Sequence, residues 1–573
     1  MIFRYLKPYT PFIILATALL LGQVLTDLLL PKYMALIVDE GIAQHDTSVI
    51  FHYGTKMLLV VFIGIFCAVM GGFFASRTAI GLGRDMRTNL FQHISKYSLS
   101  EFDKLGTASL ITRTVNDVQQ IQFTTFMVLR VVMRAPIMFA GAIVMTVRTD
   151  RHLSLILLAI LPVVILMIFI ISKKALPLFR AIQKKLDVLN LVLRENLIGM
   201  RIIRAFGRVG YEKRRFAAAN EDLTGTTLRV TRLMAILGPG MMFTMNLLAI
   251  IIVWAASFRI DSGELQVGNM MAFVQYAMQI FMSLMMMVMT FMILPRAFAS
   301  GERINEVFKT QSTVTDSEHT VTLSGSRGNI VFNDVSFRYQ QAENPLVNHV
   351  SFTAQPGETI AIIGGTGSGK STLLDLILRY YDVESGSIEI NGVDVRQISQ
   401  ENLRAQIAYV PQHSVLFSGS IYDNVRMGKK DATDEEVQHA CKIAQAAEFI
   451  EQMPGGYNSI ISQGGKNLSG GQKQRLSIAR ALVRKPAIYI FDDSFSALDY
   501  HTDAKLRSAL KKETRESTVI MVAQRVSSIM HADKIVVMDN GSIIGSGTHN
   551  ELLKSNEIYK EIVYSQLSES EIG

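Results

Sequence analysis

Six apolar stretches before residue 300 constrain this chain more than any other feature. They run approximately over 12–38, 57–80, 125–147, 153–172, 236–258 and 270–294. Each is near or above the ~20 residues that carry a helix across a hydrocarbon core. A backbone facing lipid must satisfy its own hydrogen bonds, so runs of this length fold as helices. A soluble bundle would show polar stripes every three to four residues, and these segments mostly lack them. The rest of the chain dilutes them. Across 573 residues the hydrophobic share is 49% and the mean hydropathy +0.27, as expected for a membrane half joined to a soluble half.

Loop charge sets the orientation. The loop after the first stretch carries Asp39, Glu40 and Asp46 against a single basic residue, Lys56. The segment between the second and third carries Arg84, Arg87, Lys96, Lys104 and Arg113. The one between the fourth and fifth is denser still, with Lys173, Lys174, Arg180, Lys184, Lys185, Arg201, Arg204, Arg208 and Lys213 to Arg215. Basic loops stay inside, so both termini and the two long loops are expected on the cytoplasmic side of the cell membrane. The formal charge of +8 is then a consequence of topology, and no nucleic-acid partner is needed to explain it. Cys67 and Cys441 are the only cysteines, which leaves no disulfide framework or thiolate metal site. The long loops, 81–124 and 173–235, hold helix formers with apolar residues at helical spacing. They read as extensions of the spans into water, reversing near 102–106 and 205–210.

Polar residues inside the spans are expensive and mark candidate pathways. Asp27 lies well inside the first, with Gln23 one turn earlier. Arg130 and Arg134 stand at i and i+4 in the third, where snorkelling or pairing is expected. Gln275 and Gln279 share a face of the sixth. That span is rich in methionine, whose flexible thioether repacks around varied apolar ligands. Asp27, Gln275, Gln279, Met282 and Met286 are the candidate substrate-pathway residues, with helix packing as the competing role.

Composition changes after Arg296. The domain reading is a membrane part over 1–309, a Ser/Thr/Gly-rich linker over 310–328 and a nucleotide-binding part over 329–573. Within the last, Gly364, Gly365, Thr366, Gly367, Ser368, Gly369, Lys370, Ser371 and Thr372 fit the phosphate-loop pattern. An apolar run precedes them as a strand and Leu373–Leu374 continue as a helix. The glycines let backbone N–H groups approach phosphate oxygens at a helix N-terminus. Lys370 would reach the outer phosphates and the Ser371 hydroxyl would ligate Mg²⁺. Gln412 ends another strand with an amide able to reach Mg²⁺ or water. Leu468, Ser469, Gly470, Gly471 and Gln472 open a helix and form a second phosphate-binding element. Asp492 and Asp493 end an apolar strand, and Asp492 suits Mg²⁺. Gln524 ends the last such strand.

One phosphate loop fits many nucleotidases, but this ordered set is narrower. It resembles the ATP-binding cassette (ABC) transporters, specifically half-transporter exporters with six spans followed by one nucleotide-binding domain. The resemblance covers nearly the whole chain, and its most specific motif is the 468–472 signature. It implies six transmembrane helices with long cytoplasmic extensions plus an α/β phosphate-loop ATPase domain. It implies ATP and Mg²⁺ as ligands, Tyr339 stacking on adenine, and Gln412 in the Q-loop. It also implies two such domains paired head to tail, each ATP lying between the phosphate loop of one subunit and the signature of the other. The loop reversals would be the coupling helices.

Two positions depart from the family pattern. The residue after the Mg²⁺ aspartate is normally Glu, which orients or deprotonates the attacking water; here it is Asp493. The last strand normally ends in His; here it ends in Gln524. Asp reaches about 1.5 Å less, and a misplacement of that size costs about a hundredfold in rate. Gln keeps a hydrogen bond but carries no charge and passes no proton. The expectation is a slow site on this chain's own phosphate loop and an intact signature for a second half-transporter that supplies Glu and His. The expected activity is ATP-driven export of amphipathic drugs or other apolar small molecules. A lipid or lipid-linked substrate, a homodimeric drug exporter, and a regulatory or channel-like ATPase are the alternatives.

Overall fold

A computed structural model describes residues 2–317, 319–323, 328–340 and 342–567; residues 318 and 324–327 of the expected linker lie outside it. The chain forms two compact units, Met1–Gln92 with Leu110–Lys309, and His93–Ser109 with Thr310–Gly573.

In the first unit, six helices among the described residues are long and apolar enough to cross a membrane. They are Arg4–Ile42, Thr47–Ile94, Thr107–Thr149, Arg151–Ile198, Val209–Asp261 and Val267–Val288. The fifth has 53 residues, about 80 Å of helix against about 30 Å of hydrocarbon. The excess is the water-exposed extension read from the sequence. Short polar devices fix the turns between helices. Asp39 accepts from the Gly268 and Asn269 amides at 2.5 and 3.1 Å and so closes the start of the sixth helix. Gly268 has to be glycine, since a Cβ there would lie 2.4 Å from the Ala35 carbonyl oxygen. Asp150 caps the fourth helix through the Leu153 amide at 2.9 Å and pairs with Arg259 at 2.6 Å. The core packs Phe273, Tyr276 and Ile280 of the sixth helix against Val24 and Leu28 of the first and Met138 and Ala142 of the third. The Tyr276 hydroxyl donates to the Leu28 carbonyl at 2.8 Å, a cross-helix bond that apolar packing alone would leave unmade.

Both reversals occur where the sequence places them. One is the helix Leu99–Leu105, started by a Ser98/Glu101 capping box and stopped by Gly106 at φ +74°. The other is Met200–Ala205, followed by Gly207 at φ +64°.

In the second unit, β1 (Ile330–Phe337), β2 (Val347–Ala354), β4 (Ser385–Ile390) and β5 (Val393–Asp394) make an antiparallel sheet in the order β2-β1-β4-β5. The larger sheet contains β3 (Thr359–Gly364), β6 (Ile407–Val410), β9 (Ile488–Asp492), β10 (Thr518–Val522), β11 (Lys534–Asp539) and β12 (Ser542–Gly547), ordered β12-β11-β3-β10-β9-β6. A two-residue ribbon of β7 (Gly419–Ser420) and β8 (Ile460–Ile461) stands apart. Strands β11, β3, β10, β9 and β6 run parallel and read as unbroken apolar runs, because both of their faces are covered.

Candidate nucleotide site and its relatives

Parallel pairing decides where the chemistry sits. Val522 lies beside both Ile362 and Asp492, and Val410 lies beside Phe491. The carboxyl ends of β3, β9, β10 and β6 therefore share one edge of the sheet. The residues that follow them are the phosphate loop, Asp492–Asp493, Gln524 and Gln412. Crevices at this edge are where open parallel sheets bind ligands.

The phosphate loop opens the helix Lys370–Ile377. Gly367 and Gly369 take φ +82° and +94°, which turns the loop back over the helix N-terminus. A Cβ at Gly365 or Gly367 would meet no atom within 4 Å, so the loop backbone faces open space. The Lys370 ammonium folds onto the Gly364 and Gly365 carbonyls at 3.0 and 2.6 Å. Burial holds it below its usual pKa. The Ser371 hydroxyl donates to Asp492 at 3.2 Å. Burial lifts both Asp492 and Asp493 above the usual carboxylate range, although Ser371, Tyr409 and Lys370 oppose the shift at Asp492, and Gln412, the Gln524 backbone, Ser496 and Arg525 oppose it at Asp493. Two such carboxylates beside a hydroxyl are relieved by a cation. Among the described residues no three acidic, His or Cys side chains form a self-sufficient metal cage. The Ser371 hydroxyl on the Asp492 carboxylate fits Mg²⁺, which takes one or two carboxylates and completes its shell with water and substrate phosphate.

Asp493 has φ +43°, a left-handed conformation that Asp tolerates better than most residues, and its amide donates to the Val522 carbonyl at 2.9 Å. Its carboxylate accepts from the Gln412 side-chain amide at 3.3 Å. The two residues that the sequence places at different strand ends therefore touch. The Gln524 side chain is exposed, while its backbone carbonyl accepts from Gln566 at 2.8 Å. Tyr339 is half-buried, its ring edge-on to Phe337 and Tyr381 and its hydroxyl 3.2 Å from that of Thr372. At the signature, Ser469 caps the helix Gly470–Leu482 with Gln472 in a reciprocal box. Among the described residues no hydrogen bond joins 469–472 to the phosphate loop, so this element presents its helix N-terminus elsewhere.

In the membrane unit, Arg134 pairs with Asp27 at 2.8 Å, and Gln279 donates to the Asp27 carbonyl at 3.1 Å. Asp27 and Gln279 are thus brought together. Met282 is exposed, and Gln275 and Met286 are half-buried.

The description "ABC transporter transmembrane region" matches residues 13–284, and "ABC transporter" matches 347–496. The chain is 42% identical over 563 residues to the uncharacterized ABC transporter ATP-binding protein YfiB of Bacillus subtilis, covering 98% of this chain and 97% of that one. It belongs to the ABC transporter family. A putative multidrug export ATP-binding/permease protein, YgaD of Bacillus subtilis, is 32% identical over 98% of this chain and 97% of its own length. An ATP-dependent lipid A-core flippase of Hahella chejuensis is 31% identical over 90% and 89%. A solved bacterial Atm1-family ABC exporter with ATP bound superposes with a TM-score of 0.77 at 25% identity, covering 100% of this chain and 99% of that one. With six spans and one ATPase domain, this ABC transporter chain is a half-transporter of an ATP-driven exporter and a multi-pass membrane protein.

Three features of this ABC transporter escape sequence reasoning. Asp375 follows Ser371 by one helical turn and turns inward, and burial, with the Asp492 and Asp103 charges adding to it, pushes its carboxyl up to about 7. Its place at i+4 from Ser371 was the available signal. Asp103 of the helix Leu99–Leu105 accepts from the Tyr381 hydroxyl at 2.8 Å, tying that reversal to the nucleotide-binding unit. Two π-helical turns, Arg113–Asp117 and Val128–Val132, interrupt the third membrane helix, and no local sequence pattern marks them.

Proposed function

We propose that this chain is the degenerate-site half of a heterodimeric exporter. The reading rests on one observation: the position after the Mg²⁺ aspartate holds Asp493, whose carboxylate is already engaged by Gln412 at 3.3 Å. A shorter carboxylate, with Gln524 in place of His, positions the attacking water poorly. ATP would lie over the phosphate loop with its adenine at Tyr339. Lys370 and the loop amides would hold the phosphates, and Ser371, Gln412 and Asp492 would hold Mg²⁺. The intact signature, Ser469 to Gln472, would complete the site of a partner half-transporter that carries Glu and His. ATP binding would close the paired domains and turn the cavity outward, and hydrolysis at the partner's site would reset it. The nucleotide-binding domain and both termini would lie in the cytoplasm, a reading supported by the basic charge of the two long loops. The cargo is an amphipathic or apolar small molecule, in keeping with the multidrug name of one relative; the flippase name of another keeps a lipid as the second reading.

The test is nucleotide identity after turnover. The chain is co-purified with the half-transporter that pairs with it, supplied with radiolabelled ATP for one round, and stripped of free nucleotide. One ATP per dimer should persist beside one ADP. Complete conversion of both nucleotides at equal rates would refute the heterodimer reading.

A further inference from the structure

Charge inside the membrane half does not balance. Over 8–31, 57–76, 118–147, 153–172, 233–258 and 267–295 the only Asp, Glu, Lys or Arg residues are Asp27, Arg130 and Arg134. Asp27 is consumed by Arg134 at 2.8 Å. Arg130 has no carboxylate within 4 Å among the described residues; it donates to the Ala68 carbonyl at 2.9 Å. Its guanidinium lies along Gly71 and Gly72, where a Cβ would come within 3.6 Å of it. It also stands within the π-turn Val128–Val132, a distortion frequent at functional sites. A charge within a span costs several kcal/mol unless it snorkels to the interface or something neutralises it, and Arg130 stands towards the cytoplasmic end of the third. On the first and sixth helices, the Gln23 and Gln279 side-chain oxygens are buried and accept no hydrogen bond among the described residues. Asp27 and Arg134 keep 28% and 30% of their side chains exposed, so the cluster is reachable rather than sealed.

We propose that this cluster on the first, third and sixth helices is the polar end of the substrate site, and that it takes an amphipathic anion. The anionic group pairs with Arg130. The assignment narrows the cargo of the exporter reading, on which it rests, to amphiphiles that carry a negative charge. A lipid headgroup and a free organic anion share this chemistry.

The experiment measures equilibrium binding, without ATP, to the full-length protein in phosphatidylcholine nanodiscs. Three fluorescent dodecyl amphiphiles are used, ending in carboxylate, hydroxyl and trimethylammonium. The carboxylate probe should bind about tenfold tighter than the trimethylammonium probe, the worth of one partly desolvated charge contact. Arg130→Gln should collapse that ratio to about twofold and leave the hydroxyl probe unchanged. Asp27→Asn should widen it, since Arg134 is then free as well. Opposite shifts from the two variants are not produced by a loss of folding. Phosphatidylglycerol nanodiscs identify the source: weaker carboxylate binding there means a headgroup competes for the site, and unchanged binding means a free anion. Equal affinity for all three probes in the wild type, or an Arg130→Gln effect equal on all three, overturns the proposal. ATP-driven uptake into inside-out vesicles is scored separately. Selective binding without uptake would fail the exporter reading and leave the anion site standing.

Discussion

If the site is slow, as proposed, replacing Asp493 by Glu and Gln524 by His in the same chain should make it faster. Asp493 Oδ2 already lies 3.3 Å from the Gln412 amide, at the long end of a hydrogen bond. An extra methylene moves the carboxylate about 1.5 Å further from the strand, to where it can meet an attacking water. If misplacement by an ångström or so costs about a hundredfold, restoring reach recovers about 2.7 kcal/mol of barrier. Part of this is lost again. Residue 493 sits at φ +43°, where Glu is less at ease than Asp, by up to about 1 kcal/mol. The net expectation is a ten- to hundredfold rise in phosphate release by the purified chain alone at saturating ATP and Mg²⁺. His at 524 should also bring a pH dependence near 6.5 that the wild type lacks. A double variant no faster than the wild type would refute the claim that these two positions limit the site.

Three further outcomes follow from the geometry. Asp375 keeps its proton up to about pH 7 when folded and loses it near 3.8 when unfolded. The unfolded state then binds fewer protons between those values, so stability falls as pH rises from about 4 to 7. Asp375→Asn should raise the melting temperature of the magnesium-free protein more at pH 8 than at pH 5; an equal gain at both would contradict this. Tyr381→Phe removes the donor to Asp103 and about 2 kcal/mol of charge-assisted bonding, read as faster hydrogen exchange across 99–105. Arg134→Leu strands Asp27 and should cost about 3 kcal/mol, whereas Arg134→Leu with Asp27→Leu should cost much less, checked by thermal melting in detergent.

The large features were legible because they are written in long runs or in spaced motifs. Twenty apolar residues admit one solution in lipid, and Gly106 and Gly207 stand where the chain must reverse. The phosphate loop, the signature and the Asp492 strand carry their own local context of strand, turn and helix. What the sequence concealed depends on register and on partners distant in the chain. The contact of Gln412 with Asp493 spans 81 positions, and that of Arg134 with Asp27 spans 107. Asp27 read alone pointed to a pathway acid; its neighbour makes it half of an ion pair and leaves Arg130 as the unbalanced charge. Nor could a single residue show that Asp375 would be buried beside Asp492.

The most direct test of the degenerate site is the ATPase rate of the wild-type chain purified without any partner, set beside that of Asp493→Asn. The account predicts slow turnover from the wild type and little further loss in the variant. Brisk turnover by the chain alone, abolished by Asp493→Asn, would contradict it.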